Sequence, residues 1–264
     1  MAAVKVDKAP AVDGKADDDA WKAAKAYTIK VDKPKRILEP GKEVTLKVAH
    51  DGSSIYVLCE WADKKKNDQH ESWAWDEGKA KYEKSGFMED EFFVAFQLEG
   101  SFNANMTVGI DAKWDVWQWQ AARTDPTGFA RDKIHVYTHT KPDDPLLAAR
   151  SRQDSDDKEW WMLLLDDAGK PPAKAVDAPK AKGKDTLPTF VTQTPEGSAA
   201  DVRAKGTWKE GRWTVEFSRK LDTGAKDDRK FDLGDAVLFA VGVLNSAEGS
   251  QHDISLPHRL KFER

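Results

Sequence analysis

The chain has 264 residues, a third of them charged with both signs interspersed, and a formal net charge of −4. That balance excludes the basic surface by which proteins hold nucleic acid, and no apolar run reaches the length that crosses a bilayer. The length fits one large β domain or two small ones, with enough chain to bury a core without disulfides; the single cysteine, Cys59, has no partner to pair with.

The first residues, MAAVKVDKAPAVDG, lack the basic-then-apolar leader pattern and read as a mature chain whose signal has been removed. Val44, Leu46 and Val48 alternate with polar residues. Asp51-Gly52 follows, and then Ile55, Val57, Cys59 and Trp61 alternate in turn, which predicts a hairpin with Cys59 as a small buried hydrophobe. Lys64 to Lys84 is charged, with Trp73 and Trp75 embedded, and reads as a long loop or short helix. Phe92 to Leu98 is a continuous apolar run of strand length, expected to be buried on both faces.

Trp114 to Gly128, WDVWQWQAARTDPTG, packs three tryptophans into six positions ahead of Arg123 and an Asp125-Pro126 turn. Alternation puts Trp117 and Trp119 on one face. Aromatics this dense suit a buried sheet face or the wall of a pocket for a flat ligand. His135 and His139 flank Tyr137 at a spacing that pairs ligands on a helix, but IHVYTHT reads as strand.

Asp166 to Asp185 is rich in Pro, Ala and Lys and is expected to be an exposed insertion at about 166–186. Trp208 to Phe217 predicts a second hairpin turning at Glu210-Gly211. Ala236 to Leu244 reads as a buried strand and Leu256 to Phe262 as a closing one. Strands with turn signals and no sustained helical period predict an all-β fold, a single antiparallel β-sandwich over 1–264 with long loops and short helices. No G-x-S-x-G or H-E-x-x-H occurs, so a hydrolase has no support. The acid pairs Asp156-Asp157 and Asp227-Asp228 read as turn and surface charges, and His50 and His70 as surface residues.

Three ordered blocks carry a family resemblance. APAVDGKADDDAW, ending at Trp21, resembles the opening of DOMON-like and family-9 carbohydrate-binding sandwiches, with a tryptophan tucked under the sheet. VWQWQAARTDPTGFARD (Val116 to Asp132) resembles the W-x-W-x-A-A-R-T-x-P-x-G-x-A-x-D block of ethylbenzene-dehydrogenase-type haem-binding domains. Asp201 to Asp235, and the ending AVGVLNSAEGSQHDIS, resemble the same family.

The resemblance implies a periplasmic or otherwise extracytoplasmic β-sandwich holding one non-covalent haem b through a methionine and a lysine. It implies the γ subunit, not the catalytic subunit, of a dimethyl-sulfoxide-reductase-type molybdenum oxidoreductase. Such a subunit passes electrons between the complex's iron–sulfur β subunit, beside the molybdenum α subunit, and an external carrier such as a soluble cytochrome c. Relatives that attach haem covalently carry C-x-x-C-H after the strand matching Phe92 to Leu98. Here EGSFNANMTVG stands in that place and offers Met106, and Gln118 stands where the family commonly has His.

Met106, on a polar loop, is therefore the first candidate axial ligand, with Met88 the alternate. Lys205, between Ala204 and Gly206 in the family-like block, is the candidate second ligand, its small neighbours giving a porphyrin room to approach. A ligating lysine must be neutral, which requires burial. His252 is the competing ligand, since imidazole is the commoner donor. Arg123 suits a haem propionate, or else a sheet-edge acid. Trp117 and Trp119 read as core, with a haem wall as the alternative. The competing function is a carbohydrate-binding module on the same sandwich, for which exposed tryptophans would serve as stacking platforms.

Overall fold

Alternating apolar residues become strands almost wherever they occur. A computed structural model describes residues 1–32, 42–86, 88–103, 110–149, 151–245 and 252–264, the side chains of Ser85 and His252 excepted. In chain order the elements are β1 (Ala2–Lys5), a one-turn helix α1 (Asp19–Ala23), β2 (Tyr27–Val31), β3 (Lys42–His50), β4 (Ser54–Ala62), β5 (Ser72–Asp76), β6 (Lys81–Ser85), β7 (Glu91–Gly100), β8 (Ala112–Gln120) and β9 (Arg131–Thr138). After α2 (Pro145–Ala148) come β10 (Ser151–Gln153), β11 (Glu159–Asp166), β12 (Gly169–Lys170), β13 (Ala173–Ala175), β14 (Thr186–Pro188), β15 (Phe190–Thr192), β16 (Glu196–Gly197), β17 (Arg203–Lys209), β18 (Arg212–Lys220), β19 (Ala236–Leu244), β20 (His252–Ile254) and β21 (His258–Phe262).

Two sheets carry the fold. One runs β10-β11-β9-β8-β7-β19-β21, with β20 beside the end of β19; the other runs β1-β3-β4-β18-β17, with β2 beside β3. Strand β1 joins them, lying parallel to both β21 and β3. Their inner faces meet in one core: Val57, Cys59, Trp61, Trp213, Val215 and Phe217 from one sheet face Phe92, Val94, Phe96, Trp117, Trp119 and Val241 from the other. Trp61 stacks on Phe92 at 5.1 Å between ring centroids, and Trp119 meets Trp213 edge-on at 4.8 Å. Each such fully buried side chain contributes about 1.5–3 kcal/mol.

Both expected hairpins form. At the second, Glu210 and Gly211 take φ of 51° and 79°, the paired left-handed turn whose twist matches the strands. The Phe92 run is buried in the core on one face and only partly covered on the other, where Phe93 and Gln97 are half-buried. Trp21 tucks against the outer face of the second sheet, beside Tyr56 and Leu58. Its indole N–H donates to Glu216 Oε1 at 2.6 Å, and the backbone N–H groups of Asp13, Gly14 and Lys15 donate to Glu216 Oε2. The Asp-Gly…Trp opening is thus fastened to one buried carboxylate on β18.

Two expectations change. Lys64 to Glu71 is loop, as expected, but Ser72 to Lys84 is neither loop nor helix: it forms the β5–β6 hairpin, and β14 from the insertion adds a third strand to it. Ser72–Trp75 alternates with Trp73 and Trp75 on one side, and Trp75 packs edge-on against Tyr82 at 5.1 Å. The insertion is exposed along most of 174–186 but is anchored at its base by the short pairs β12–β16 and β13–β15.

Candidate functional site

Strand β8 sorts the aromatic run between two faces. Trp117 and Trp119 point into the core and are fully buried. Trp114, Val116 and Gln118 point outward. The turn after β8 centres on Asp125. Its Oδ1 accepts from Trp119 Nε1 at 2.9 Å and from the Gly206 backbone N–H at 2.6 Å, and its Oδ2 accepts from Lys205 Nζ at 2.7 Å. Pro126 sits within the turn and Gly128 closes it at φ 76°. The space beside Gly206 is occupied: a Cβ there would lie 2.4 Å from Trp119 Cζ2. The small residues around Lys205 therefore make room for the Trp119 indole.

Lys205 is about a third exposed and ion-paired to Asp125. Arg123 sits at the same end of β8. Its guanidinium pairs with Glu89 and, at 2.8 Å, with Glu91, and the Ala122 and Arg123 backbone N–H groups also donate to Glu89. Burial opposes the ionisation of Glu89, but His70 and Arg123 outweigh it and hold its carboxyl below the usual range. Glu91 is pushed up by burial despite Arg123. The sheet-edge acids thus occupy the guanidinium. Met88 is half-buried immediately before Glu89. His70 is only 10% exposed in its side chain, beside Glu89, and His50 is wholly buried with Nε2 2.7 Å from the Glu263 carbonyl; neither is a surface residue.

Met106 lies outside the described residues, and so does the His252 side chain; the His252 backbone opens β20, paired with Leu244. The described neighbours of the 104–109 stretch are informative. Phe102 and Ile110 pack on the outer face of the first sheet with Trp114, Val116, Tyr137 and Met162. Lys205 and Asp125 belong to the opposite end of β8, which begins at Ala112 and ends at Gln120.

That outer face holds a hollow of about 200 Å³. Phe93, Val116, Leu164, Leu244 and Ile254 give it apolar walls, and Lys133, His135 and Met162 bring donors to it. Burial, helped by the neighbouring charge of Arg131, pulls the Lys133 amine down to about 8, and its Nζ lies 3.3 Å from Gln118 Oε1. Sequence reasoning missed Lys133. The available signal was its place on the outer face opposite Val116, inside an otherwise apolar patch.

Two antiparallel sheets packed face to face, with one aromatic strand serving both the core and an outer hollow, define a β-sandwich. The chain belongs to the ethylbenzene dehydrogenase family, whose model matches residues 18–254. Among solved structures it is similar to a family-9 carbohydrate-binding module from Caldicellulosiruptor kristjanssonii in complex with glucose. That match has 12% identity, covers all of this chain and 96% of that one, and has a TM-score of 0.45. It is also similar to a protein from Bacteroides uniformis described as carbohydrate-binding, with 9% identity, all of this chain and 98% of that one covered, and a TM-score of 0.49. No curated protein sequence matches the chain. Among the described residues, no helix is long and apolar enough to cross a membrane.

Proposed function

We propose that the chain is the haem b-binding, electron-transferring γ subunit of a molybdenum oxidoreductase of the dimethyl-sulfoxide-reductase type, working outside the cytoplasm. The observation that carries the reading is the family match across residues 18–254 of 264. Its electron partners are the iron–sulfur β subunit of the complex, which also holds the molybdenum α subunit, and a soluble carrier such as a cytochrome c. When bound, haem supplies one-electron chemistry at a potential set by its axial ligands.

The residues suit such a group. The outer hollow offers apolar walls with few donors, the lining small-molecule sites favour; at about 200 Å³ it is smaller than the roughly 300–1,000 Å³ of such sites, so haem must widen it on entry. Met106 is the proposed thioether ligand, and its described flanking residues Phe102 and Ile110 pack into the same aromatic cluster as the hollow. For the amine, Lys133 has the stronger physical claim than Lys205. Its burial already favours the neutral form, whereas Lys205 would have to abandon its ion pair with Asp125. Cys59 is fully buried in the core and its thiol is pushed up by burial, so it offers no attachment point for haem.

The carbohydrate-binding reading has no matching observation. Of the eleven tryptophans, eight are buried and Trp73, Trp75 and Trp208 are half-buried, so none forms an open stacking platform.

The test is absorption spectroscopy of the purified, haem-reconstituted chain. The reading expects one haem per chain with a low-spin spectrum that is lost in Met106→Ala and Lys133→Ala and kept in Lys205→Ala. Loss in Lys205→Ala alone would return the amine to Lys205, loss in His252→Ala would make the imidazole the ligand, and no haem uptake would refute the function.

A further inference from the structure

Beside the aromatic core lies a concentration of negative charge that the haem reading does not use. Asp115 on β8, Asp132 on β9 and Asp228 between β18 and β19 are all buried, and each offers a carboxylate oxygen within 4.8 Å of the other two. Asp167, just past β11, is 4% exposed and lies against Asp132, its backbone N–H donating to the Asp132 carbonyl at 3.2 Å. The sequence assigned Asp228, with Asp227, to the surface; the structure turns Asp228 inward.

Arg219 is the guanidinium that faces this group. Its Nη1 donates to Asp115 Oδ2 at 2.5 Å and to Asp228 Oδ1 at 2.7 Å, while its plane lies 4.9 Å from the Trp117 ring centroid. The Arg229 backbone N–H also donates to Asp115 Oδ2. Those contacts use one oxygen each of Asp115 and Asp228. Asp115 Oδ1, Asp228 Oδ2 and both oxygens of Asp132 and of Asp167 are buried and receive no hydrogen bond from an amide, amine or hydroxyl; the Asp132 and Asp167 carboxyls meet each other. Four carboxyls against one guanidinium cannot all ionise without a buried excess of negative charge, among the costliest things a fold can hold, so the cluster must take up protons or a cation.

We propose that Asp115, Asp132 and Asp228 form a site for one divalent cation of the calcium class, with Asp167, which lies against Asp132, at its edge. The donors are all hard oxygens, with no imidazole or thiolate, which selects calcium-like ions over zinc or copper. The spacing suits the ion: oxygens each about 2.3–2.6 Å from one cation lie at most about 5 Å apart. Bound there, the cation fastens three separate segments, β8, β9 and the 221–235 connection, with the start of the insertion beside them. Two of these ligands, Asp132 and Asp228, fall inside the sequence blocks that carry the family resemblance, Asp132 as the closing acid of the Val116 to Asp132 block. The aromatic run then has a second partner, since Trp117 stacks on the arginine that shares Asp115 and Asp228 with the ion. This inference is independent of where haem binds and of whether it binds.

The experiment measures metal content and melting temperature on the full chain. Protein purified without chelator is expected to carry about one equivalent of calcium by elemental analysis. Chelator-treated protein should recover thermal stability on adding calcium, by about 5–10 °C at a hundredfold excess over the dissociation constant, with magnesium effective only at higher concentration. Asp132→Asn should abolish binding, and Asp167→Asn, on a segment outside the core strands, should weaken it at least tenfold while the chain still folds. If Asp132→Asn does not fold, the wild-type titration and Asp167→Asn decide. A chain with no stoichiometric cation, whose melting temperature ignores calcium, would overturn the proposal, as would unchanged calcium affinity in Asp167→Asn.

Discussion

Replacing Gly206 by alanine isolates the contact on which the β8 turn rests. The added methyl would lie 2.4 Å from Trp119 Cζ2, 2.8 Å from Cε2 and 3.1 Å from Nε1, inside any tolerable contact. The ring has nowhere to retreat. It is fully buried, edge-on to Trp213 at 4.8 Å and to Trp61 at 6.2 Å, and its Nε1 is tied to Asp125. Overpacking of this kind costs about 1–3 kcal/mol, and lengthening a hydrogen bond to a carboxylate adds about 1–2 kcal/mol. The expected loss is therefore about 3 kcal/mol, or roughly 6–12 °C in melting temperature for a chain of this size. Urea denaturation of the chain, repeated in a Trp119→Phe background, is the assay. Phe lacks the Cζ2 that the methyl strikes, so the two substitutions should couple, with the double variant about 1 kcal/mol or more better than the sum of the singles. A Gly206→Ala cost under about 0.5 kcal/mol, or an additive cycle, would refute the claim that the glycine exists to seat the indole.

Glu216→Ala removes the acceptor for Trp21 Nε1 and three backbone N–H groups, and should cost about 3 kcal/mol with exposure of the Trp21 indole, read by its fluorescence maximum. Asp51 has a pKa near 2: burial works against ionisation, but hydrogen bonds from Ser53, Tyr56 and Ser54 outweigh it. A carboxyl whose folded pKa is depressed contributes stability that is present above its ordinary value near 3.8 and is lost as pH falls from about 4 through about 2. Asp51→Asn should accordingly be less stable at pH 7 and lose less between pH 4 and 2, and parallel acid limbs for both proteins would contradict this. Arg219→Met removes the guanidinium shared by Asp115 and Asp228 and should cost at least about 3 kcal/mol, because the carboxylates it leaves are buried. Wild-type stability in that variant would mean the charges are already neutralised without it.

Local alternation made the sandwich legible. Val44 to Val48 and Ile55 to Trp61 announce strands because a half-buried strand must put apolar residues at every second position, Ala236 to Leu244 does so as a continuous apolar run of strand length, and Asp51-Gly52 and Glu210-Gly211 announce the turns. What stayed hidden depends on neighbours far away in sequence. The Ser72–Trp75 strand is completed by β14, more than a hundred residues later, and no periodicity reports that pairing. Asp227 and Asp228 are adjacent, yet one accepts from the Ala168 backbone and Ser198 near the surface while the other is buried against Arg219. The residue type was readable; the side it would face was not.

The same reasoning bears on the two candidate lysines. Ala204 and Gly206 read as space for a flat ligand, and a flat group does occupy that space, but it is the chain's own Trp119. Lys133 looked like any surface lysine because its setting is supplied by three other strands: Val116 and Gln118 on β8, Phe93 on β7 and Leu164 on β11. A tryptophan-rich strand in a sandwich has two faces to furnish. Trp117 and Trp119 furnish the core, and the proposed haem site accordingly lies on the face of Trp114, with Lys133. If Lys133→Ala left a reconstituted low-spin spectrum unchanged while Lys205→Ala destroyed it, that division of labour would be reversed, and the core side of β8 would have to open by moving Trp119. The Gly206→Ala variant would then alter haem affinity as well as stability, whereas an outer-face site leaves haem affinity unchanged while stability falls.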